Sequence, residues 1–362
     1  MAELRIALVG AGVIGLTHID TLERMDGFRL AGIVDPGPRA PEIAASNEVP
    51  LFAGVPELIA AGAADGVIVA TPNELHVPIA TQLLGAGLPV LLEKPIANTT
   101  DDAAMLLAVA DRTRVPLLIG HHRRHNPIIR AAKAAIADGV LGRFVMASVC
   151  CSLYKDDAYF DSAWRTRPGS GGPLLINLIH EIDLMRHFFG DVASVSAIGT
   201  NAIRGLAVED TAAVILRFAD GGMATLAISD TAVGPWAWDI SAGENLARFP
   251  AHPVQSHLLT GTEGGLSLPD LTYWSHRGVR DWQLELDRTT LPILPEDCYV
   301  AQIRHFGEVI AGEAAPLVTG RDGAKNLATI DAIRRAAESR REMPVEDIEA
   351  AVQAALSAAT SR

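Results

Sequence analysis

Short apolar runs alternate with amphipathic stretches in the first third of the chain. The runs at 4–9, 30–34, 66–70, 90–92 and 117–119 are nearly all apolar. Parallel strands have this pattern when both faces of their sheet are covered. The intervening segments 14–25, 74–86 and 101–114 have helical periodicity, and Thr99 and Thr100 are candidate caps for the last one. The alternation predicts an α/β Rossmann domain with a parallel, doubly wound sheet.

After about residue 125 the pattern changes. Helices are predicted at 128–138 and 174–189, and strands at 144–153, 192–198, 211–218 and 223–229, the last two joined by a hairpin turn at 219–222. Successive strands without intervening helices predict an α+β domain with a large, mainly antiparallel, open-faced sheet. Helices follow at 299–311 and 323–341, with a weaker one after Glu342. We expect two domains, 1–122 and 123–362, with the C-terminal helices as candidates to pack back on the first.

Composition and charge narrow the class of protein. The 362 residues are 49% hydrophobic and 20% charged, which is typical of a globular chain. A net charge of -13 and the lack of a Lys/Arg run argue against a nucleic-acid partner. The three cysteines form no CxxC pair, which fits a reducing compartment. Because no signal peptide or bilayer-length apolar run is visible, we expect a cytoplasmic protein without a membrane partner.

A glycine motif follows the first predicted strand and opens the first predicted helix. Its residues, with an acid about 20 positions later, match the dinucleotide-binding pattern. The predicted cofactor contacts are Gly10, Gly12, Val13, Ile14, Gly15 and Asp35. Asp35 would accept hydrogen bonds from ribose hydroxyls and repel a 2′-phosphate, which favours NAD over NADP. Arg39 is a counter-signal, because a guanidinium could neutralise that phosphate.

Two further predicted strands end in polar residues. Ligands gather at the carboxyl ends of strands in a doubly wound sheet. We therefore expect the cofactor site to include Thr71, Pro72, Asn73, His76, Glu93 and Lys94.

Four segments in this order resemble the Gfo/Idh/MocA family, which includes glucose–fructose oxidoreductase and inositol dehydrogenase. They are GAGVIG, ATPNELH, EKP and HEID, and the resemblance extends over essentially the whole chain. It implies that Lys94 contacts the reacting hydroxyl and the nicotinamide region. It also implies that His180 accepts or donates the hydroxyl proton and that Asp183 belongs to the same catalytic pocket. A positioned amine or imidazole suits this role, since alcohol oxidation requires the hydroxyl to lose its proton.

The resemblance also suggests substrate contacts in the second domain: Arg124, Asn126 as a second candidate in that segment, Trp164 and Arg165. Helical spacing would place Asn177, His180 and Asp183 on one face. One departure is Ile176, where sugar and inositol dehydrogenases usually carry an aspartate, so an inositol-type substrate is in doubt. Proton transfer then falls to His180, Lys94 or both.

A metal site is not expected from these histidines. Position 184 is Leu, so the HExxH zinc motif fails. Arg123 and Arg124 stand among His121, His122 and His125, where their charge would oppose a divalent cation.

The sequence thus predicts an NAD-dependent dehydrogenase acting on a secondary alcohol of a sugar, cyclitol or related ring. A cis-dihydrodiol or hydroxy-carboxylate dehydrogenase is an alternative, because Arg123, Arg124, Arg165 and Arg167 could bind a carboxylate. A dinucleotide-binding sensor without turnover is another, although the presence of both Lys94 and His180 argues against it. An exposed sheet face on the second domain would need a partner, and the family resemblance implies that a paired sheet supplies it, in a homodimer or homotetramer.

Overall fold

The computed structural model describes residues 3–360. Its tertiary contacts group the chain into two compact units. The first unit comprises the chain up to His122, the segment Asp297–Leu327 and the chain from Asp347 onward. The second unit comprises Arg123–Glu296 and Ala328–Glu346.

Strands and helices alternate strictly up to His122. They are β1 (Leu4–Val9), α1 (Val13–Leu22), β2 (Phe28–Val34), α2 (Ala40–Ser46), β3 (Leu51–Phe52), α3 (Val55–Ala61), β4 (Gly66–Val69), α4 (His76–Gly85), β5 (Val90–Leu92), α5 (Thr100–Thr113) and β6 (Leu117–Ile119). The six strands form a parallel sheet in the order β3-β2-β1-β4-β5-β6. The predicted Rossmann fold is confirmed, and its strand order reverses between β1 and β4, where such folds bind dinucleotides.

The elements beyond His122 follow a different order. They are α6 (Pro127–Ala137), β7 (Phe144–Ser152), α7 (Ile179–Phe189), β8 (Val192–Thr200), β9 (Thr211–Phe218), β10 (Met223–Ser229), α8 (Trp238–Ser241), β11 (His257–Gly261), β12 (Gly264–Leu268), β13 (Thr272–Ser275), β14 (Asp287–Thr290), α9 (Cys298–Ile310), α10 (Gly320–Ser339), β15 (Met343–Pro344) and α11 (Ile348–Thr360).

Nine of these strands form the sheet of the second unit, in the order β14-β13-β12-β11-β7-β10-β9-β8-β15. Its neighbouring strands are antiparallel except for β7 and β10, which run parallel. The predicted mainly antiparallel sheet is therefore confirmed. Buried and exposed residues alternate along β9 and β10, as they do in a sheet with one covered face.

The core of the first unit includes a C-terminal helix. Ile6, Ile33 and Ile68 from the parallel sheet are fully buried, and Ile303 and Phe306 of α9 belong to the same cluster. Apolar side chains on one face of α9 explain this packing, because a helix buries its apolar stripe. None of the described helices is both long and apolar enough to cross a membrane.

Candidate active site

The loop between β1 and α1 has the shape that a dinucleotide pyrophosphate requires. Gly10 has φ of +96°, and a Cβ there would lie 2.6 Å from the carbonyl oxygen of Ala70. A Cβ on Gly15 would overlap the Gly10 carbonyl, whereas one on Gly12 would meet nothing within 4 Å. Gly10 thus allows the tight turn, and Gly15 allows the helix to pack closely on the loop. The open space at Gly12 fits an approaching phosphate.

The start of α1 faces that open space. Val13 is exposed and Ile14 half-buried in the first turn, and no side chain caps the helix. Uncapped amides at a helix N-terminus suit a phosphate, because they supply donors and the positive end of the helix dipole. The loop therefore fits the pyrophosphate of NAD.

Asp35 follows β2 and holds the glycine loop. Its carboxylate accepts hydrogen bonds from the Ala11 amide at 2.7 Å and the Gly37 amide at 2.6 Å. A carboxylate has about four acceptor positions, so capacity for ribose hydroxyls remains. Arg39 is exposed at the N-terminus of α2.

Thr71, Pro72 and Asn73 lead from β4 into a short 3₁₀ turn before α4. The Thr71 hydroxyl is buried and has no hydrogen-bond partner among residues 3–360. His76 is fully buried, with Nδ1 2.7 Å from the Pro95 carbonyl oxygen and Nε2 3.0 Å from that of Thr71. Burial lowers the pKa of His76, although the contacts with these two carbonyl oxygens act in the opposite direction. The ring ties together the segments that follow β4 and β5.

Glu93, at the end of β5, is paired with a residue that the sequence pattern did not single out. Its carboxylate lies 2.9 Å from Nε2 of His18, a fully buried side chain on α1. Burial alone would raise the pKa of Glu93, but the His18 hydrogen bond and the charges of His18, Lys94 and His122 lower it. Glu93 is therefore held as a carboxylate next to Lys94.

Lys94 thus stands between two anchored residues. His18 fixes Glu93 on one side, and His76 fixes the carbonyl of Pro95 on the other. The Lys94–Pro95 peptide bond is cis. Positioning by locked neighbours is what a reacting side chain requires.

Helix α9 brings a ring to this group. Tyr299 meets the edge of His18, with centroids 5.8 Å apart, and stacks on His122 at 4.6 Å. His121, after β6, is buried with Nε2 3.1 Å from the Asn326 amide. Local sequence carries no signal for these partners, because Tyr299 and Asn326 lie far along the chain.

In the second unit, Arg123 anchors the helix that carries the HEID segment. It donates to Glu181 at 2.7 Å and to Asp239 at 3.0 Å, and both Arg123 and Glu181 are buried. The other oxygen of Glu181 lies 2.8 Å from Nε2 of the fully buried His257. Burial alone would raise the pKa of Glu181, but the charges and hydrogen bonds of Arg123 and His257 lower it to about 2.

Arg124 and Asp183, predicted as a substrate contact and a catalytic residue, are joined to each other. Nε and Nη2 of Arg124 donate to the Asp183 carboxylate at 2.6 to 3.1 Å, and both side chains are buried. The guanidinium of Arg124, which could have bound a substrate carboxylate with two hydrogen bonds, is therefore already bound to Asp183. Glu181 and Asp183 both follow His180 closely on α7, so these two ion pairs fix the helical turn that carries it, and His180 itself is 7% exposed.

The predicted helix over 174–189 is not uniform. Leu174–Leu178 is a π-helical turn, and α7 begins only at Ile179. The wider π turn changes which residues share a face, so α-helical spacing from Asn177 to His180 does not apply there. Ile176 and Asn177 are both half-buried in this turn. π turns of this kind occur frequently at functional sites.

The remaining predicted substrate contacts have identifiable partners. Asn126 is buried and caps α6 through the Ile128 amide at 2.9 Å, and its own amide donates to Glu244 at 2.8 Å. Trp164 is 37% exposed, and the Arg165 guanidinium lies 5.4 Å from its ring.

Comparison with known proteins identifies the class to which this fold and glycine loop belong. Residues 4–121 match a family model described as an oxidoreductase family with an NAD-binding Rossmann fold, and residues 129–267 match the GFO/IDH/MocA C-terminal domain. The chain is an oxidoreductase with an NAD-binding Rossmann domain. It belongs to the Gfo/Idh/MocA family.

Individual relatives are distant. The chain is 32% identical to rhizopine catabolism protein MocA of Rhizobium meliloti over 191 residues, covering 52% of this chain and 58% of that protein. It is 28% identical to 1,5-anhydro-D-fructose reductase of Ensifer adhaerens over 348 residues, covering 94% and 98%. A solved structure of the WlbA dehydrogenase of Bordetella pertussis with NADH and UDP-GlcNAcA is similar in fold. Its TM-score is 0.78 at 24% identity, with 95% of this chain and 99% of that chain covered.

Proposed function

We propose that this protein is an NAD-dependent dehydrogenase acting on a secondary alcohol of a sugar, cyclitol or related ring, with Lys94 and His180 handling the hydroxyl proton. The anchoring of Lys94 carries this proposal. Two buried histidines, His18 and His76, fix the residues on either side of it. A surface lysine has no need of such support, whereas a reacting amine does.

Oxidation of an alcohol removes a hydride from carbon and a proton from the hydroxyl. When bound, NAD supplies the acceptor for the hydride. Lys94 orients the hydroxyl oxygen with its amine, and the imidazole of His180 takes the proton. Positioned proton transfer of this kind accounts for a rate factor of about 10² to 10⁴.

Asp183 acts in this scheme as a positioning residue. Its carboxylate is bound to Arg124, and Glu181 is bound to Arg123. Because both acids follow His180 within three residues on α7, the paired arginines hold the helical turn from which its imidazole projects. The absence of an aspartate at Ile176 leaves His180 as the proton acceptor in this segment.

We assign the cofactor to the first unit and substrate selection to the second. Gly10, Gly12 and Asp35 hold the dinucleotide, and Thr71 and Asn73 line the same edge of the sheet. The buried, unpartnered hydroxyl of Thr71 supports this, because such a group gains a hydrogen bond when a ligand binds. Trp164, Arg165 and Asn177 are the proposed substrate contacts.

The test is NADH formation by the purified protein with a panel of polyols, sugars, sugar acids and ring diols. Lys94→Met and His180→Asn should each reduce kcat/KM on the best substrate about 100-fold or more, with NADH affinity nearly unchanged. Lys325→Met and the exposed His252→Asn are matched controls that should retain activity. Near-normal turnover in either active-site variant would place the chemistry elsewhere. If the protein binds NADH but no compound in the panel reduces NAD, the result counts against the proposed ring-alcohol substrates and favours the alternative of a dinucleotide-binding sensor.

A further inference from the structure

The segment that follows β7 carries Lys155 and Tyr159, which none of the roles above uses, and leads to Trp164 and Arg165, two of the proposed substrate contacts. Residues 153–155 continue alongside the end of β10, since the Leu153 amide donates to the Ser229 carbonyl and the Lys155 amide to the Asp230 carbonyl. Asp156 then caps a 3₁₀ turn through the Tyr159 amide at 3.0 Å, which fixes the position of Tyr159. A second 3₁₀ turn, Ala163–Thr166, carries Trp164 and Arg165.

Two cations converge on the ring of Tyr159. Lys155 Nζ lies 4.8 Å from its centroid and the Arg165 guanidinium carbon 4.0 Å from it. Arg165 also donates to the Tyr159 carbonyl at 2.5 Å. Rings attract cations in this way, but one ring does not neutralise two charges.

Neither cation has a carboxylate within ion-pair distance among residues 3–360. The Arg165 Nε is buried without a hydrogen-bond partner in the same part of the chain. Burial lowers the pKa of Lys155 and raises that of the Tyr159 phenol, so the group is poorly hydrated. Holding two like charges in such a place is unfavourable unless an anion joins them.

A neighbouring arginine shows the contrast. Arg204 stacks on Phe160 at 4.3 Å, and it is neutralised by Asp230 at 2.9 Å. It also donates to the Lys155 carbonyl at 2.6 Å, so it belongs to the same segment. Arg204 thus has a carboxylate in direct contact, whereas the charges of Asp239 and Asp230 act on Lys155 without forming an ion pair with it.

This group is joined by hydrogen bonds to the turn that precedes the HEID helix. The Gly172 amide donates to the Arg165 carbonyl at 3.2 Å, and the Ile176 amide donates to the Gly172 carbonyl at 3.1 Å. Ile176 belongs to the π turn Leu174–Leu178, which leads directly into α7 and His180. An anion bound by Arg165 would therefore lie beside the segment that leads into α7.

We propose that Lys155 and Arg165, assembled on Tyr159, form a receptor for a carboxylate of the substrate. This inference rests on the proposed function and narrows its substrate to a ring alcohol that carries a carboxylate. Lys155 and Arg165 replace Arg123 and Arg124 as the residues that select the anion, since the latter two are paired with Glu181 and Asp183.

The experiment measures binding without turnover. The NADH complex is titrated calorimetrically with three matched pairs: D-galactose and D-galacturonate, D-glucose and D-glucuronate, and myo-inositol and quinate. We expect the carboxylated member of at least one pair to bind about 10-fold or more tightly than its neutral partner, the scale of a charge-assisted hydrogen bond. Lys155→Met should remove that preference, and Lys155→Arg should keep part of it.

The matched control is Lys133→Met, another half-buried lysine of the second unit, whose ammonium donates to the His187 carbonyl. It should leave the preference intact. Unchanged NADH affinity in every variant shows that folding and the cofactor site are preserved. The proposal is overturned if no pair shows the preference or if the preference survives Lys155→Met. Binding without NAD reduction would instead count against the dehydrogenase.

Discussion

Single residues of the candidate site are held by partners that do no chemistry themselves. His18 and His76 anchor the neighbours of Lys94, and Arg123 and Arg124 anchor the neighbours of His180. Buried pairs of this kind favour one arrangement, because moving either partner leaves a buried charge or donor unpaired. The candidate reacting side chains therefore depend on groups whose own substitution should also impair the protein.

Asp35 gives a prediction at this scale. We expect the Asp35 carboxylate to accept hydrogen bonds from the ribose hydroxyls and to repel a 2′-phosphate, so NAD should bind more tightly than NADP. Asp35→Ser should narrow the difference, and fluorescence titration with NADH and NADPH measures it. Asp20→Ser, an exposed acid on α1, is the control. Equal affinities in the unmodified protein would contradict the assignment.

At the scale of elements, the junction before α7 is the distinctive feature. The π turn Leu174–Leu178 precedes the α-helical turn that carries His180, and Glu181 ties that turn to Arg123 and to His257 at the start of β11. Three distant segments thus meet in one buried group. Because both partners of Glu181 act on its ionised form, the junction should be sensitive to acid.

The pKa of Glu181 is about 2 in the folded chain, below its ordinary value of 4.5. A group with a lowered pKa contributes stability above its unfolded pKa, and that stability is lost as pH falls through the folded value. Glu181→Gln should therefore destabilise the protein at pH 7 by roughly 3–5 kcal/mol, the scale for stranding one buried partner. The difference should shrink between about pH 4.5 and pH 2, and urea unfolding at several pH values measures it. Exposed Glu338→Gln should match the unmodified protein throughout, and a pH-independent difference would show that the charge is irrelevant.

At the scale of the whole molecule, the nine-stranded sheet exposes apolar side chains on one face. Ile215, Met223 and Leu258 are 48%, 49% and 48% exposed on β9, β10 and β11. Contiguous apolar surface of this kind marks an interaction site. We propose that a second copy of the chain covers it, giving a homodimer or homotetramer.

Light scattering after size-exclusion chromatography tests this proposal. The unmodified protein should have the mass of a dimer or tetramer, and Ile215→Lys combined with Leu258→Lys should lower it, since buried lysines would be unpaired at the interface. Val233→Lys, an exposed apolar residue outside the strands, should have no effect. A monomeric unmodified protein, or an unchanged mass in the double variant, would refute the interface.

Much of the first unit was predictable because its signals are local. Apolar runs mark strands covered on both faces, and the glycine spacing follows from one tight turn. The short strands β3 and β11–β15 were missed, since two to five residues of mixed polarity carry little periodicity. The π turn was missed because the sequence of 174–178 is equally compatible with an α-helix.

The sequence alone determined the class of fold and the cofactor loop, because each depends on spacing within a few turns of chain. The proton-transfer roles proposed for Lys94 and His180 came from the resemblance to a family. Only the tertiary structure decided which of those residues are engaged with one another. His18 and Glu93 are 75 residues apart, and Arg123 and Glu181 are 58 apart. Periodicity describes one element at a time, whereas an ion pair forms where separate elements meet. For that reason Arg124 could be predicted as a substrate contact, and only the fold showed that its partner is Asp183.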